Sequence, residues 1–188
     1  MSAPRFPQLE VETLEGDQRA LAENILKVSS LGIQGPYNPL LRSPVLGQRV
    51  LDLLDYLRWN SAVPTRLTEL AIMVQARLWR SQVEWFAHYP IALRAGLSPE
   101  LLAELKANER PSSMQEDEAV VYDFSMELAN RKAVSTETYE RAKALLGDQG
   151  VVDLTVIGGT YVTIAMLLSM SEAQVPAGKE PPFGPDDP

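Results

Sequence analysis

Three residues in the middle of the chain have the types and spacing for proton chemistry. His88 is the only histidine, and Glu84 stands four positions before it. On a helix, residues four apart are neighbours, so this carboxylate and imidazole can touch. At about 100° per residue, Ser81, Glu84 and His88 fall within about 60° of one another on one face. A carboxylate beside an imidazole holds one tautomer and tunes a proton-transfer group for work near neutral pH. Glu69 supplies a second acid. It interrupts the apolar run LTELAIMVQARL, Leu67 to Leu78, and an acid in such a run is uncommon unless paired or functional.

Each residue also has an ordinary explanation. Ser81 and Glu84 have the spacing of a capping box at a helix start, which needs no catalysis. Glu–His pairs four apart occur on solvated faces. Glu69 is open to a salt bridge with Arg66, Arg77 or a partner subunit. Metal binding by Glu69, Glu84 and His88 is a weaker alternative, because one histidine is thin support for a site. The expectation is no metal and no cofactor. Trp79, Trp85, Tyr161, Tyr37, Asn38 and Ser81 are candidates to line a substrate pocket, each against the competing reading of core packing.

Helices must position these groups, since strand signals are weak and helix punctuation recurs. A first helix is expected from Leu14 to Val28. Gly32 to Pro44 (GIQGPYNPLLRSP) is too rich in Gly and Pro for anything but a loop or extended arm. Ser43-Pro44 opens a helix to about Trp59, and another begins near Thr65. The helix with Glu84 and His88 is expected from Ser81 to Gly96, a C-terminal capping glycine, with Pro90 inside freeing the Phe86 carbonyl. Ser98-Pro99 opens a short helix to about Asn108. Further helices are expected at Gln115 to Asn130, Ser135 to Leu146 and Gly150 to Met170. The organisation is therefore an N-terminal helix and linker (1–34), a helical domain (35–175) and a Pro-rich tail (176–188).

Composition excludes several functions. With 188 residues and 45% apolar content the chain can build a core. A net charge of −8, with basic residues scattered singly, argues against nucleic acid as a partner. The absence of Cys rules out thiolate chemistry run by this chain alone. Met1 to Glu12 lacks the apolar core of a signal peptide. Val151 to Met170 reads as a buried core helix rather than a membrane span, being broken by Asp153, Thr155, Thr160, Thr163 and Gly158-Gly159. A cytoplasmic protein acting on a small molecule, without a membrane, is expected.

The run RLTELAIMVQARLWRSQVEWFAHYPIALRAGLS, Arg66 to Ser98, resembles the core signature of carboxymuconolactone decarboxylase-like (AhpD-like) proteins. That signature has an R-x-x-E-L helix, a helix with E-x-x-x-H, and an A-x-x-A-G-L-S exit. The likeness extends from Gly35 to Met170. It implies an all-α, AhpD-like bundle with a central antiparallel helix pair, assembled as a trimer or hexamer. In the alkylhydroperoxidase branch, the match by spacing puts Glu69 at the Glu position, Ser81 and Glu84 at the two Cys positions, and His88 at the His position. Without either thiol, peroxidase chemistry is not expected. The lactone-decarboxylase branch keeps Glu and His at the positions of Glu84 and His88. It implies a cofactor-independent lyase or related proton-transfer enzyme on a small carboxylated or lactone-type metabolite, from aromatic-compound catabolism. In that reading His88 is the general acid/base, Glu84 orients it, and Glu69 is a second acid or support. The alternatives are a non-catalytic ligand-binding homologue and a redox protein that borrows a partner's thiol.

Overall fold

The computed structural model describes residues 5–29 and 31–184. The expected N-terminal segment and Pro-rich tail therefore have their first and last four positions outside the described residues. Among the described residues every regular element is a helix: α1 Gly16–Val28, α2 Tyr37–Leu40, α3 Pro44–Trp59, α4 Thr65–Leu78, α5 Gln82–Ala95, α6 Pro99–Lys106, α7 Glu116–Arg131 and α8 Thr136–Met170, with a 3-10 turn at Val11–Thr13 before them. The chain is all-α, as its punctuation predicts.

Helix α4 is the axle of the bundle. Every residue from Leu67 to Arg77 is buried, because α5, α7 and α8 surround it and α3 and α6 close its ends. A helix buried all round reads as apolar all round, which is why LTELAIMVQARL shows so little polar face. Several of its polar residues have defined partners. Thr68 Oγ1 donates to the Val63 carbonyl, and Arg77 Nε donates to the Lys106 carbonyl. Arg66 at the exposed end holds Asp117 at 2.5 Å and also pairs with Glu118 of α7.

Local signals end the helices largely where the sequence places the stops. Gly96 caps α5 at φ 104°, a conformation that strains any side chain bearing a Cβ. Ser98 and Ser135 accept from Leu101 N and Thr138 N as N-caps of α6 and α8. The expected capping box at Ser81 is not formed: neither the Ser81 hydroxyl nor the Glu84 carboxylate has a hydrogen-bond partner. Both side chains turn inward instead. The reciprocal box is at Gln115 and Glu118, the start of α7. The two helices expected at 135–146 and 150–170 are both present: α8 is a pair of helices joined across a kink at Gly147, whose φ 68° and ψ 178° are not helical.

Helix α1 and the segment before α3 build a smaller core of Leu14, Leu21, Ala22, Ile25, Ile33, Leu41 and Leu51. Asn38 ties the N-terminal segment to it, donating to the Phe6 carbonyl and accepting from Leu9 N. Gly32 to Pro44 is therefore no free arm, since it holds α2 and packs inward. Gly47 permits the close approach. A Cβ there would lie 2.5 Å from Leu21 Cδ2 and 2.9 Å from the Leu40 carbonyl oxygen. Helix propensity alone favours alanine by about 1 kcal/mol, but Leu40 offers backbone, which cannot step aside. Gly47→Ala is therefore expected to destabilise the fold by about 1–2 kcal/mol through overpacking, read as a lower urea midpoint.

The Pro-rich tail is irregular, as expected, but it is docked. Phe183 is 2% exposed, edge-on to Trp85 at 5.2 Å between ring centroids and under the Arg77 guanidinium. Gln82, the first residue of α5, accepts from Phe183 N and donates to its carbonyl. Phe183→Ala is expected to cost the docked tail about 3 kcal/mol. Faster cleavage of the tail by a non-specific protease under native conditions checks this.

One helix among the described residues, α8, is long and apolar enough to cross a membrane. It packs along α4 and α7 and buries Leu154, Ile157, Tyr161, Ile164 and Leu168, the contacts of a core helix.

Candidate functional site

Only three residues, 79 to 81, separate α4 from α5, so the chain reverses sharply, with Arg80 at φ 48°. In such a hairpin, residues equidistant from the turn face each other. Ser81 N bonds the Ala76 carbonyl, and the same register brings Glu69 opposite His88. The His88 Nδ1 and Glu69 Oε2 atoms are 2.8 Å apart, with both side chains largely buried. This corrects the sequence expectation. Glu69, not Glu84, orients His88, because the cross-hairpin contact takes the imidazole away from its own helix neighbour.

The pair has chemical consequences. With Nδ1 held by a carboxylate, Nε2 is the free nitrogen, and no described residue hydrogen-bonds it. Tyr161 of α8 stands edge-on to the ring, with centroids 5.1 Å apart. Burial and the Glu69 charge hold the Tyr161 phenol well above its ordinary pKa, so it remains protonated as a ring wall.

Glu84 lies one turn before His88 on α5 and is 2% exposed. Both its oxygens and the Ser81 hydroxyl are sealed from water without a hydrogen-bond partner. Burial pushes the Glu84 carboxyl well above the usual carboxylate range, with the nearby Ser81 hydroxyl opposing only part of that rise. A buried carboxylate is costly to keep charged, so burial favours the protonated form. Two acids flank one histidine in unlike states. Glu69 is bonded to the imidazole, whereas burial favours the neutral form of Glu84.

These groups border a cavity of about 350 Å³ between α5, α8, the end of α3 and the segment before α2. Its wall includes Glu84 and His88, Tyr37 and Pro36, Arg58 and Trp59, and Ile164 and Leu168. Tyr37 of the expected lining residues is present, and burial holds its phenol above the ordinary value. Asn38 points elsewhere, into its contacts with the N-terminal segment and Arg42. Trp85 is buried against Tyr89 and Phe183. Trp79 borders a different, larger cavity of about 580 Å³ between α4, α7 and α8, which has Lys132 but, among the described residues, no Asp, Glu or His in its lining. The larger cavity is thus poorer in chemistry, and the smaller one is the candidate site.

Sequence reasoning missed Arg58 and Trp59, the last turn of α3. Their position gives little signal, since an Arg near a helix C-terminus is accounted for by the dipole alone. Among the described residues no group of three or more His, Asp or Glu side chains has an arrangement that could hold a metal ion. Comparison with family models and with curated proteins finds no match.

Proposed function

We propose that the chain is a cofactor-independent proton-transfer enzyme of the lyase type, acting on a small carboxylated or lactone-type metabolite. The observation that carries this reading is the His88–Glu69 pair at a cavity whose wall also holds a neutral, unpartnered acid, Glu84. Acid and base assignments follow where environments push neighbouring groups into different protonation states. The resemblance of Arg66 to Ser98 to carboxymuconolactone decarboxylase-like proteins supports the same class.

In the proposed step the bond between a ring carbon and its carboxylate breaks, and carbon dioxide leaves. The electron pair passes into the conjugated ring carbonyl. The carbon then takes a proton from His88 Nε2, and water restores it. Glu69 keeps the imidazole in one orientation throughout. Glu84, being uncharged, does not repel an anionic substrate, and the apolar wall of Val83, Ile164 and Leu168 favours loss of carboxylate charge. The reading is tested by incubating purified protein with a panel of carboxylated unsaturated lactones. Catalysed carbon dioxide release from a member is expected, and none across the panel overturns the proposal.

A purely ligand-binding homologue would fill its site with Trp79, Trp85 and Tyr161 and turn Glu84 to cap its helix. Trp79 and Trp85 lie away from this cavity, and Glu84 caps nothing. A cytoplasmic homo-oligomer, a trimer or hexamer, belongs to the same proposal. Supporting it are the exposed Val152, Val156, Met166 and Met170 on α8 and Trp59 at 65% exposure, an apolar surface of the kind that marks contacts. Sedimentation at micromolar concentration should give at least a trimer, and a monomer counts against assembly.

A further inference from the structure

We infer that Arg58 is the anion anchor of the cavity, fixing a carboxylate that the substrate keeps through turnover. This rests on the reading of the cavity as the active site and adds a residue that determines specificity. The argument begins with charge. The chain has 25 acidic and 17 basic side chains, and other arginines find acids: Arg66 takes Asp117 and Glu118, while Arg110 and Arg141 share Asp123. Arg58 is half-buried, yet it makes no ion pair and no side-chain hydrogen bond among the described residues. A partly desolvated guanidinium with five unused donors is poised for a planar, bidentate acceptor.

Its placement gives that acceptor an address. Arg58 lines the cavity with His88 and Glu84, and its charge reaches both the Tyr37 and the Tyr161 phenols. Its guanidinium carbon lies 5.2 Å from the Trp59 ring centroid, a stacking that restrains the fork without using its donors. Arg94 at the exposed rim supplies a second positive charge, and among the described residues the only acid in the lining is the buried Glu84. Two arginines thus line this one cavity within a chain of net charge −8. One half-buried guanidinium among apolar and phenolic walls suits a monoanionic carboxylate. A phosphate dianion calls for more donors than one half-buried guanidinium offers, such as a nest of backbone amides.

Because Arg58 stabilises a carboxylate as a carboxylate, the group it holds is not the one that leaves. Losing carbon dioxide from that position would forfeit the ion pair at the transition state. Arg58 therefore positions the substrate by a spectator group, directing the reacting carbon toward His88.

The test uses probes of known charge. Benzoate, 2-furoate and sorbate, with their neutral amides and inorganic phosphate, are titrated into the full-length protein while the Trp59 indole N–H signal is followed by NMR. At least one acid is expected to shift that signal and to bind about tenfold or more tightly than its amide, the scale of a hydrogen-bonded ion pair. Arg58→Gln should bring the acid down to the affinity of the amide, and Arg58→Lys should recover part of the difference. No binding by any acid at 10 mM, equal affinity for acid and amide, or unchanged affinity in Arg58→Gln overturns the proposal. Phosphate binding more tightly than every acid through Arg58 also overturns it. His88→Ala is expected to keep the acid preference. If Arg58→Gln leaves affinity unchanged while turnover still requires His88, the anchor fails and the active site stands. If His88→Ala keeps full turnover, the proton-transfer reading fails on its own.

Discussion

His88→Ala is expected to lower turnover by about 10²–10⁴-fold, the range contributed by a positioned general acid or base, with far-ultraviolet circular dichroism unchanged. The Nε2 atom is the free nitrogen of the ring at the cavity, and no other imidazole exists in the chain to replace it. Glu69→Gln discriminates further. An amide oxygen can still accept from Nδ1, so the ring orientation survives, but the carboxylate charge that holds the proton-bearing imidazolium ready to donate is lost. The expected result is a fall in kcat with KM nearly unchanged, because Glu69 does not line the cavity and acts on substrate only through His88. Full turnover in His88→Ala would end the assignment. A Glu69→Gln effect confined to KM would show that Glu69 shapes the pocket instead of orienting the base.

Glu84→Gln is expected to stabilise the protein at pH 8 and to change little at pH 4. The sign follows from linkage. Burial raises the folded-state pKa of Glu84 well above its ordinary value near 4.5, so the folded protein holds this proton while the unfolded chain releases it. Where the native state binds more protons, stability falls as pH rises. The loss begins near the unfolded pKa and continues until the folded group itself ionises, at up to about 1.4 kcal/mol per pH unit. Glutamine has the shape of the neutral acid and no proton to lose. Urea unfolding of wild type and variant from pH 4 to pH 8 should give a stability difference that grows with pH in favour of the variant. A constant difference would mean that Glu84 is ionised in the folded protein. The same substitution should impair turnover if a neutral acid is needed at the wall, so stability and activity would move in opposite directions, as they do where sites retain unfavourable groups for function.

Much of the fold is legible along the chain because helix starts and stops are local chemistry. Pro44, Ser98, Gly96 and Ser135 each act within a turn of themselves, and α3, α6 and α8 begin, and α5 ends, where these signals place them. The site is legible only in part, for a physical reason. The spacing of Glu84 and His88 is a relation within one helix, visible from sequence, whereas the bond from His88 to Glu69 depends on the register of a hairpin set by the turn at Trp79 to Ser81. The anomaly of an acid inside LTELAIMVQARL marked Glu69 as important without naming its partner. The capping box misled because Ser-x-x-Glu has the same spacing whether the carboxyl turns back to the helix start or inward. Arg58 and Trp59 escaped notice because nothing in α3 announces which neighbour its last turn will meet. The aromatic residues divided according to packing, with Tyr37 and Tyr161 near His88 and Trp79 and Trp85 away from it.

The clamp of Gln82 on Phe183 ties the start of the histidine-bearing helix to a residue 101 positions later in the chain. During synthesis the α4–α5 hairpin emerges from the ribosome long before the segment that fastens it. Through that interval the Trp85 ring lacks its Phe183 cover, and the first turn of α5 lacks its anchor. The nascent chain therefore passes through a stage in which the first turn of α5 is unlatched, and the final latch closes only after translation has passed residue 183.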